Sequence, residues 1–374
     1  MKSIIVGLFF LALCWTLQAQ SFDDLIAKRT YINCKDVSYN APELIHSLYS
    51  KGETDSLYSF LDYWQTKCGE QEHILAMQIL LDIKTANFDS SAVNPRLFDA
   101  LIRYKENQGL MGYNSYGFGY ELDQLYFRLR KQAQTIASDI QETYSADEAL
   151  LKDFYARDSS NFNSIKRSSA KESKLKKLYD QKIADVKSMP QLHVAFFASY
   201  YRPYGKLDIF GQHMGLGGIF GINRLRHTFD FVIDIRFGQS AKEYEFVFDG
   251  NLMKDDKWTS AYVGAEYTYD FYTRKKISLG VSPGIAYNGI TAVPADDEDD
   301  DPKILPGLDV SGGLSFRYTY GKRGGYIGLQ TRYHHVDHRN PGGTELVGSY
   351  LSMRLIFGSI FNYGRDYELA QLDY

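Results

Sequence analysis

From about Gln191 to the C-terminus the chain alternates apolar and polar residues in roughly eight runs of some ten residues each, separated by turns. A period of two sends successive side chains to opposite faces, so each run predicts a strand with one greasy and one polar face. Over residues 260–271, Ala261, Val263, Ala265, Tyr267, Tyr269 and Phe271 share one face, while Ser260, Tyr262, Gly264, Glu266, Thr268 and Asp270 share the other. Residues 229–237 repeat the pattern, with Phe229, Phe231, Ile233, Ile235 and Phe237 opposite Asp230, Val232, Asp234 and Arg236. Residues 308–320 set Leu308, Val310, Leu314, Phe316, Tyr318 and Tyr320 against Asp309, Ser311, Gly313, Ser315, Arg317 and Thr319. Residues 277–287 follow in the same sense, and weaker runs fall at 192–200, 214–222, 327–335 and 347–363.

The connections between the runs alternate in length. Residues 223–226, 273–276 and 321–324 are short turns, whereas 238–257 and 289–306 are much longer. Short turns at one end and long loops at the other are the rule for outer-membrane barrels, which a soluble sandwich has no reason to obey. Strands that descend to the short-turn end finish in Tyr269 and Phe271, Tyr318 and Tyr320, and Phe361 and Tyr363, the positions of an aromatic girdle at a membrane interface.

Between about Ser21 and Met189 the period lengthens to near 3.6, which predicts short amphipathic helices. Asn40 is a cap for a helix with Pro42 in its first turn. Leu57, Phe60, Leu61 and Trp64 form the face of a second, stopped by Gly69; Ile74, Met77, Leu80, Leu81 and Ile83 form a third. A fourth starts at Asn94-Pro95, a fifth covers roughly 121–142, and Ser145 with Glu148 is a capping box for a sixth. The helix pairs resemble tetratricopeptide-like repeats but carry no regular period. Residues 158–177 are rich in Ser and Lys, the composition of a linker or exposed basic helix that touches anionic headgroups.

Composition adds 30 Tyr and 23 Phe against 9 Pro in 374 residues, an excess that suits strands at a wet and greasy boundary. A net charge of -4 argues against nucleic acid as a partner. Lys2, the apolar run 4–15 and the small-residue site ending at Ala19 form an export signal. Cys14 is a poor lipidation site because Leu13 precedes it, which leaves Cys34 and Cys68 as a disulfide candidate in an oxidising compartment. The expected organisation is a signal peptide over 1–19, an α-helical periplasmic domain over 20–157, a basic linker or exposed helix over 158–189, an outer-membrane β-barrel over 190–363 and a tail over 364–374.

Parity places Asp230, Asp234, Glu266, Asp270 and Asp309 in the lumen beside Arg236, Arg317, Arg332 and Arg354. Eight strands enclose only enough space for their own side chains, so these charges predict a salt-bridged plug rather than a wide pore. The acidic run 296–301 lacks the ligand spacing of a calcium loop, and no cofactor or metal is expected. His334, His335, Asp337 and His338 cluster where the seventh strand meets the surface, with Ser349 or Ser352 as conceivable partners.

Gly358 followed by Phe361 and Tyr363 is similar to the C-terminal assembly signal of outer-membrane barrels, with Ile356 where that signal prefers a polar residue. Roughly the last half of the chain resembles the small eight-stranded OmpA- and OmpX-like class, here behind a helical domain. The resemblance implies a multidomain α + β protein: an N-terminal α-helical domain followed by an eight-stranded antiparallel transmembrane β-barrel. It implies outer-membrane lipids and the barrel-assembly machinery as partners, and residence in the outer membrane of a Gram-negative bacterium. The expected function is non-enzymatic, anchoring the helical domain in the periplasm for a structural, envelope-interaction or protein-binding role. A narrow channel or lipid-binding barrel, a rim-located lipid-modifying enzyme and a soluble exported β-sandwich binding module are the alternatives.

Overall fold

A computed structural model describes residues 32–109, 119–157, 161–248, 250–291, 304–321 and 324–374. The expected signal peptide and the acidic run 296–301 lie outside these residues. The chain divides into two compact units: the described part of Met1–Asp185 together with Tyr367–Tyr374, and Val186–Asp366.

The first unit is helical: α1 Cys34–Ser50, α2 Thr54–Cys68, α3 Glu72–Lys84, α4 Pro95–Gly109, α5 Gly119–Asp139, α6 Ala146–Ala156, α7 Asn163–Arg167 and α8 Lys174–Lys187, with α9 Tyr363–Gln371 reaching into it from the far end of the chain. The first helix starts earlier than its sequence suggests. Asn33 caps it in a capping box with Asp36, while Asn40 and Pro42 lie inside it and the Asn40 amide donates to Asp36 O at 2.8 Å. Gly69, with φ of 74°, terminates α2. Its flexibility is needed there, since an L side chain is strained in that conformation. Cys34 and Cys68 are joined by a disulfide between Cα atoms 4.9 Å apart, tying the start of α1 to the end of α2.

Residues 158–189, expected as linker or exposed helix, instead contribute α7 and α8, whose Leu175, Tyr179 and Ile183 are buried with Phe162 and Ile165. Buried Asp147 fixes the start of α8 by accepting from Ser173 Oγ, Lys174 N and Leu175 N. The tail is not loose either. Leu372 is 1% exposed, Tyr179 Oη donates to Leu372 O at 3.0 Å, Phe162 N to Asp373 Oδ2 at 2.8 Å, and Lys105 Nζ lies 2.8 Å from Asp373.

The second unit is a closed barrel of eight antiparallel strands in chain order, with β1 also paired to β8. The strands are β1 Gln191–Gly205, β2 His213–Arg224, β3 His227–Phe248, β4 Asn251–Arg274, β5 Ile277–Thr291, β6 Ile304–Tyr320, β7 Gly325–His338 and β8 Leu346–Phe361. Residues 238–257, expected as a loop, are largely strand. Beyond a register shift between Gln239 and Tyr244, β3 and β4 stay paired up to Phe248 and Asn251. The extension persists because its own alternation buries Tyr244 and Phe246 against Phe210 and Trp258 over the mouth of the barrel. The last strand stops before Tyr363, which Asn362 turns into α9 by accepting from Arg365 N at 3.0 Å.

Within the helical unit His73 is 4% exposed, has no hydrogen-bond partner at either ring nitrogen among the described residues and packs between Tyr104 and Tyr126. Burial pushes its pKa from 6.5 down to about 4, outweighing the opposing pull of neighbouring Glu72. The unfolded imidazole takes up a proton near 6.5 while the folded one stays neutral until about 4, so the unfolded state binds more protons between those values. Stability of the helical unit is expected to fall by about 3 kcal/mol as pH drops through that window and to level off below it. His73→Leu should flatten the profile measured by urea unfolding of the helical circular dichroism signal; a slope kept by the variant would exclude His73 as its source. Leu372→Ala should lower the midpoint of the same urea transition, by an amount equivalent to about 2–4 kcal/mol of unfolding free energy, at every pH. An unchanged midpoint would mean that the tail contributes nothing to this unit.

Candidate functional site

The barrel lumen gathers the polar chemistry of the second unit, because every strand turns its polar parity inward. Asp234, Arg236, Glu266, Asp309, Arg332 and Arg354 are each no more than 4% exposed. At mid-height Glu266 accepts from Arg332 Nη1 at 2.8 Å, Arg354 Nη1 at 2.7 Å and Tyr262 Oη at 2.9 Å. Arg332 also reaches Ser282 Oγ at 2.7 Å and Ser311 Oγ at 2.8 Å. Glycine makes room for these long side chains. A Cβ at Gly284 would meet Arg332 Nη2 at 2.5 Å, and one at Gly217 would collide with the Phe197 ring.

Toward the long-loop end a second layer forms around Asp309. Tyr350 Oη donates to it, Asn288 Nδ2 approaches at 3.3 Å, and Arg236 donates to Tyr350 Oη at 3.1 Å while its guanidinium lies 4.0 Å from the Tyr201 ring centroid. Tyr201 Oη donates to Asp234, which also pairs with Arg236 at 3.4 Å. His334 completes this layer, with Nδ1 2.9 Å from Asp309 Oδ1 and Nε2 2.9 Å from Ser352 Oγ.

Serine, histidine and aspartate thus stand in the order of a hydrolytic triad, but the surroundings do not support hydrolysis. All three are 0% exposed, and the Tyr350 ring stacks on His334 at 4.3 Å between centroids. Ser352 pairs across β1 and β7 with Tyr201 and Arg332, so neighbouring N–H groups of β8 are committed to ladders and supply no oxyanion hole. The arrangement is a hydrogen-bonded brace for a buried carboxylate.

Above it an apolar lid closes the lumen: Leu207 and Phe210 from the turn Lys206–Phe210 pack with Tyr244, Phe246, Trp258, Ile290, Leu305 and Leu346. Toward the short turns, His193 bridges Asp230 Oδ1 and Tyr326 Oη, each at 2.6 Å, and Arg317 pairs with Asp270. A cavity of about 30 Å³ lies beside them, lined by His193, Thr228, Ser315, Tyr326 and Gln330 among others, which is room for a water or two and no more.

All nine charged residues assigned to the lumen by parity point inward, with Asp230 and Arg317 the more accessible. The histidine cluster near the end of β7 is divided by the same alternation: His334 and His338 are buried inside, whereas His335 and Asp337 are exposed outside. Ser349 stands by His335 at 3.3 Å and Tyr333 Oη at 2.7 Å on the outer face, apart from Ser352. Of the expected girdle, Tyr269, Phe271, Tyr318, Tyr320 and Phe361 lie at the short-turn end of their strands; Tyr363 belongs to α9. Tyr201, Tyr262, Tyr350, His193, His334 and Asn288 also hold the network together; Tyr262, His334 and Tyr350 share the parity of Glu266, Arg332 and Arg354 on their strands, whereas β1 and β5, which carry His193, Tyr201 and Asn288, hold none of the nine charges. Among the described residues no group of three or more His, Cys, Asp and Glu side chains is placed to hold a metal.

These features define a small eight-stranded β-barrel with an inward polar network and an apolar exterior, following a helical domain. No protein-family model and no curated protein matches the chain. Among solved structures it is similar to Neisserial surface protein A, at 14% identity over 44% of this chain and 96% of that one, with a TM-score of 0.32. It is similar to the N-terminal β-barrel domain of Pseudomonas aeruginosa OprF at 12% identity over 46% and 99%, with a TM-score of 0.26. The attachment invasion locus protein Ail of Yersinia pestis is similar at 12% identity over 46% and 97%, with a TM-score of 0.25. The closed ladder of β1–β8, rather than these likenesses, establishes the fold.

Glu266→Gln should destabilise the barrel by at least about 3 kcal/mol, because it strands two buried guanidinium groups. The measurement is guanidinium unfolding in detergent, followed by the mobility difference between folded and unfolded bands. Combining it with Arg332→Met and Arg354→Met should recover most of the loss; a single variant as stable as the parent would show that the ion triad contributes little.

Proposed function

We propose that the protein is an outer-membrane anchor with a closed lumen, non-enzymatic, that holds its helical domain on the periplasmic side for a structural or protein-binding role in the envelope. One observation carries this reading: the polarity of the barrel is inverted, with charges inside and a continuous apolar surface outside. Phe196, Leu216, Phe220, Phe229, Phe231, Phe237, Leu308, Leu314, Leu351 and Phe357 are all large, apolar and exposed. From Leu308 to Tyr320 the outward face spans about 40 Å along the strand, or about 30 Å in height at a tilt of roughly 40°, enough to cross a hydrocarbon core. An apolar surface of this extent on a soluble barrel would drive aggregation.

The chain enters and leaves the barrel at one end, where Leu192 pairs with Phe361, and both segments continue into the helical unit. That end carries the short turns, which places it in the periplasm under the outer-membrane rule. Insertion of such a barrel calls on outer-membrane lipids and the barrel-assembly machinery, and the helical domain is left to meet a periplasmic partner. The lid and the ion layers argue for an anchor over a channel, and the buried Ser352 without oxyanion donors argues against an enzyme.

The test is a carbonate-washed membrane fraction run unboiled and boiled on a denaturing gel, with protease added to intact cells. A heat-dependent mobility shift in the pellet, cleavage within the β3–β4 extension and protection of the helical domain are the expected results. A soluble protein with no shift would overturn the anchor, and conductance in planar bilayers would overturn the closed lumen.

A further inference from the structure

The described short turns of the barrel carry charge of one sign only. Arg224 and Arg226 flank the β2–β3 turn, and Arg274, Lys275 and Lys276 form the β4–β5 turn; all five are exposed. Among the described residues none of them pairs with a carboxylate; Arg224 Nε donates to Ser188 O at 3.0 Å and Lys276 Nζ lies 6.0 Å from the Tyr318 ring centroid. The carboxylates nearest along these strands, Asp230 and Asp270, point into the lumen and are held by His193 and Arg317. The opposite rim is different. There Lys206 pairs with Glu345, and Lys254 with Glu245 at 3.0 Å, so both signs are interspersed.

We propose that these two turns form a cationic collar that binds the headgroups of anionic phospholipids in the leaflet at the short-turn end of the barrel. The proposal rests on the membrane-anchor reading above and adds a lipid preference to it. The collar lies directly beyond the outward aromatic residues: Arg226 O accepts from Asp270 N between Tyr269 and Phe271, and Lys276 O accepts from Thr319 N between Tyr318 and Tyr320. At about 3.3 Å per residue the cations stand one or two steps outside the aromatic band, which is headgroup depth, and their alkyl stems lie along the greasy wall. Leu225, 63% exposed at the tip of its turn between the two arginines, presents an apolar side chain to the same boundary. A soluble acidic protein would gain nothing from that leucine or from cations laid against a lipid-facing band; an anionic lipid gains from both. By sequence the third short turn also contains Lys322 and Arg323.

Each basic residue near an anionic bilayer surface raises local headgroup occupancy by about fivefold, an effect confined to a Debye length. The full-length protein is refolded into phosphatidylcholine vesicles that contain spin-labelled phosphatidylglycerol or spin-labelled phosphatidylcholine, and the two labels are compared in the motionally restricted lipid around the protein. The expected result is a two- to fivefold (roughly) preference for phosphatidylglycerol at low salt, reduced toward one by salt and by the combined Arg224→Gln, Arg226→Gln, Arg274→Gln, Lys275→Gln and Lys276→Gln variant. Equal association of the two labels with the parent protein, or a preference that the variant keeps, would overturn the collar. If the variant fails to show the folded band, the parent's salt titration and the Lys275→Gln, Lys276→Gln pair decide, and a preference indifferent to both overturns the proposal. Failure of the parent to float with neutral vesicles would instead overturn the membrane anchor, so the two failures are told apart.

Discussion

A polar group that faces inward from a strand of a narrow closed barrel must find its partner inside that barrel, and the structure of this lumen follows from that requirement. Five carboxylates and four guanidinium groups enter a space that eight strands make too narrow for bulk water. Each ion therefore becomes a structural element. Glu266 holds Arg332 and Arg354 from two different strands, and Asp309 is satisfied from β5, β7 and β8 at once by Asn288, His334 and Tyr350. Replacing any one member leaves the others charged in low dielectric, so such a network holds its strands in one register. Small residues are its counterpart. Gly217 and Gly284 yield the volume that Phe197 and Arg332 occupy.

The filling is graded along the barrel axis. A small polar cavity sits near the short turns, the ion triad of Glu266 above it, the aromatic and charged layer of Asp309 next, and an apolar lid at the long-loop mouth. Such an order fills the described lumen in successive layers rather than at a single constriction. It also crowds the Ser352–His334–Asp309 chain: a nucleophile needs a substrate beside it and donors for a developing oxyanion, and here Tyr350 and the ladders of β1 and β7 occupy both places.

The eight-strand pattern was legible in the sequence where alternation was cleanest, as in β3, β4 and β6, because parity needs no knowledge of neighbours. Parity also separates His334 from His335, but grouping by nearness along the chain hid that division. His334 and Ser352 meet through the β7–β8 register, which no single strand reveals. Elsewhere composition masked periodicity. The stretch 238–257 reads as a long connection between cleaner runs, although Tyr244 and Phe246 alternate inward; the Ser and Lys residues of 158–177 read as a linker or exposed helix, although Leu175, Tyr179 and Ile183 recur at helical spacing on a buried face. Asn33 and Asn40 are equally good caps by residue type. The reciprocal bonds between Asn33 and Asp36 select the first and leave the second inside the helix.

The return of the tail to the helical unit gives the connectivity a physical meaning. A barrel with an even number of strands delivers both ends of its chain to the same end of the barrel, so the segments before β1 and after β8 can both belong to the first unit. The contacts made there, Lys105 with Gln371 O and Tyr179 with Leu372 O, close loops of 266 and 193 residues. Closure entropy grows only with the logarithm of length, so these loops cost little more than short ones once the barrel has brought its ends together. The helical unit is thus assembled from both ends of the sequence, and its last buried side chain, Leu372, is supplied only after every strand has been made. There Tyr179 stacks on Phe162 and donates to Leu372 O, so side chains that precede the first strand and backbone that follows the last one share a single packed region.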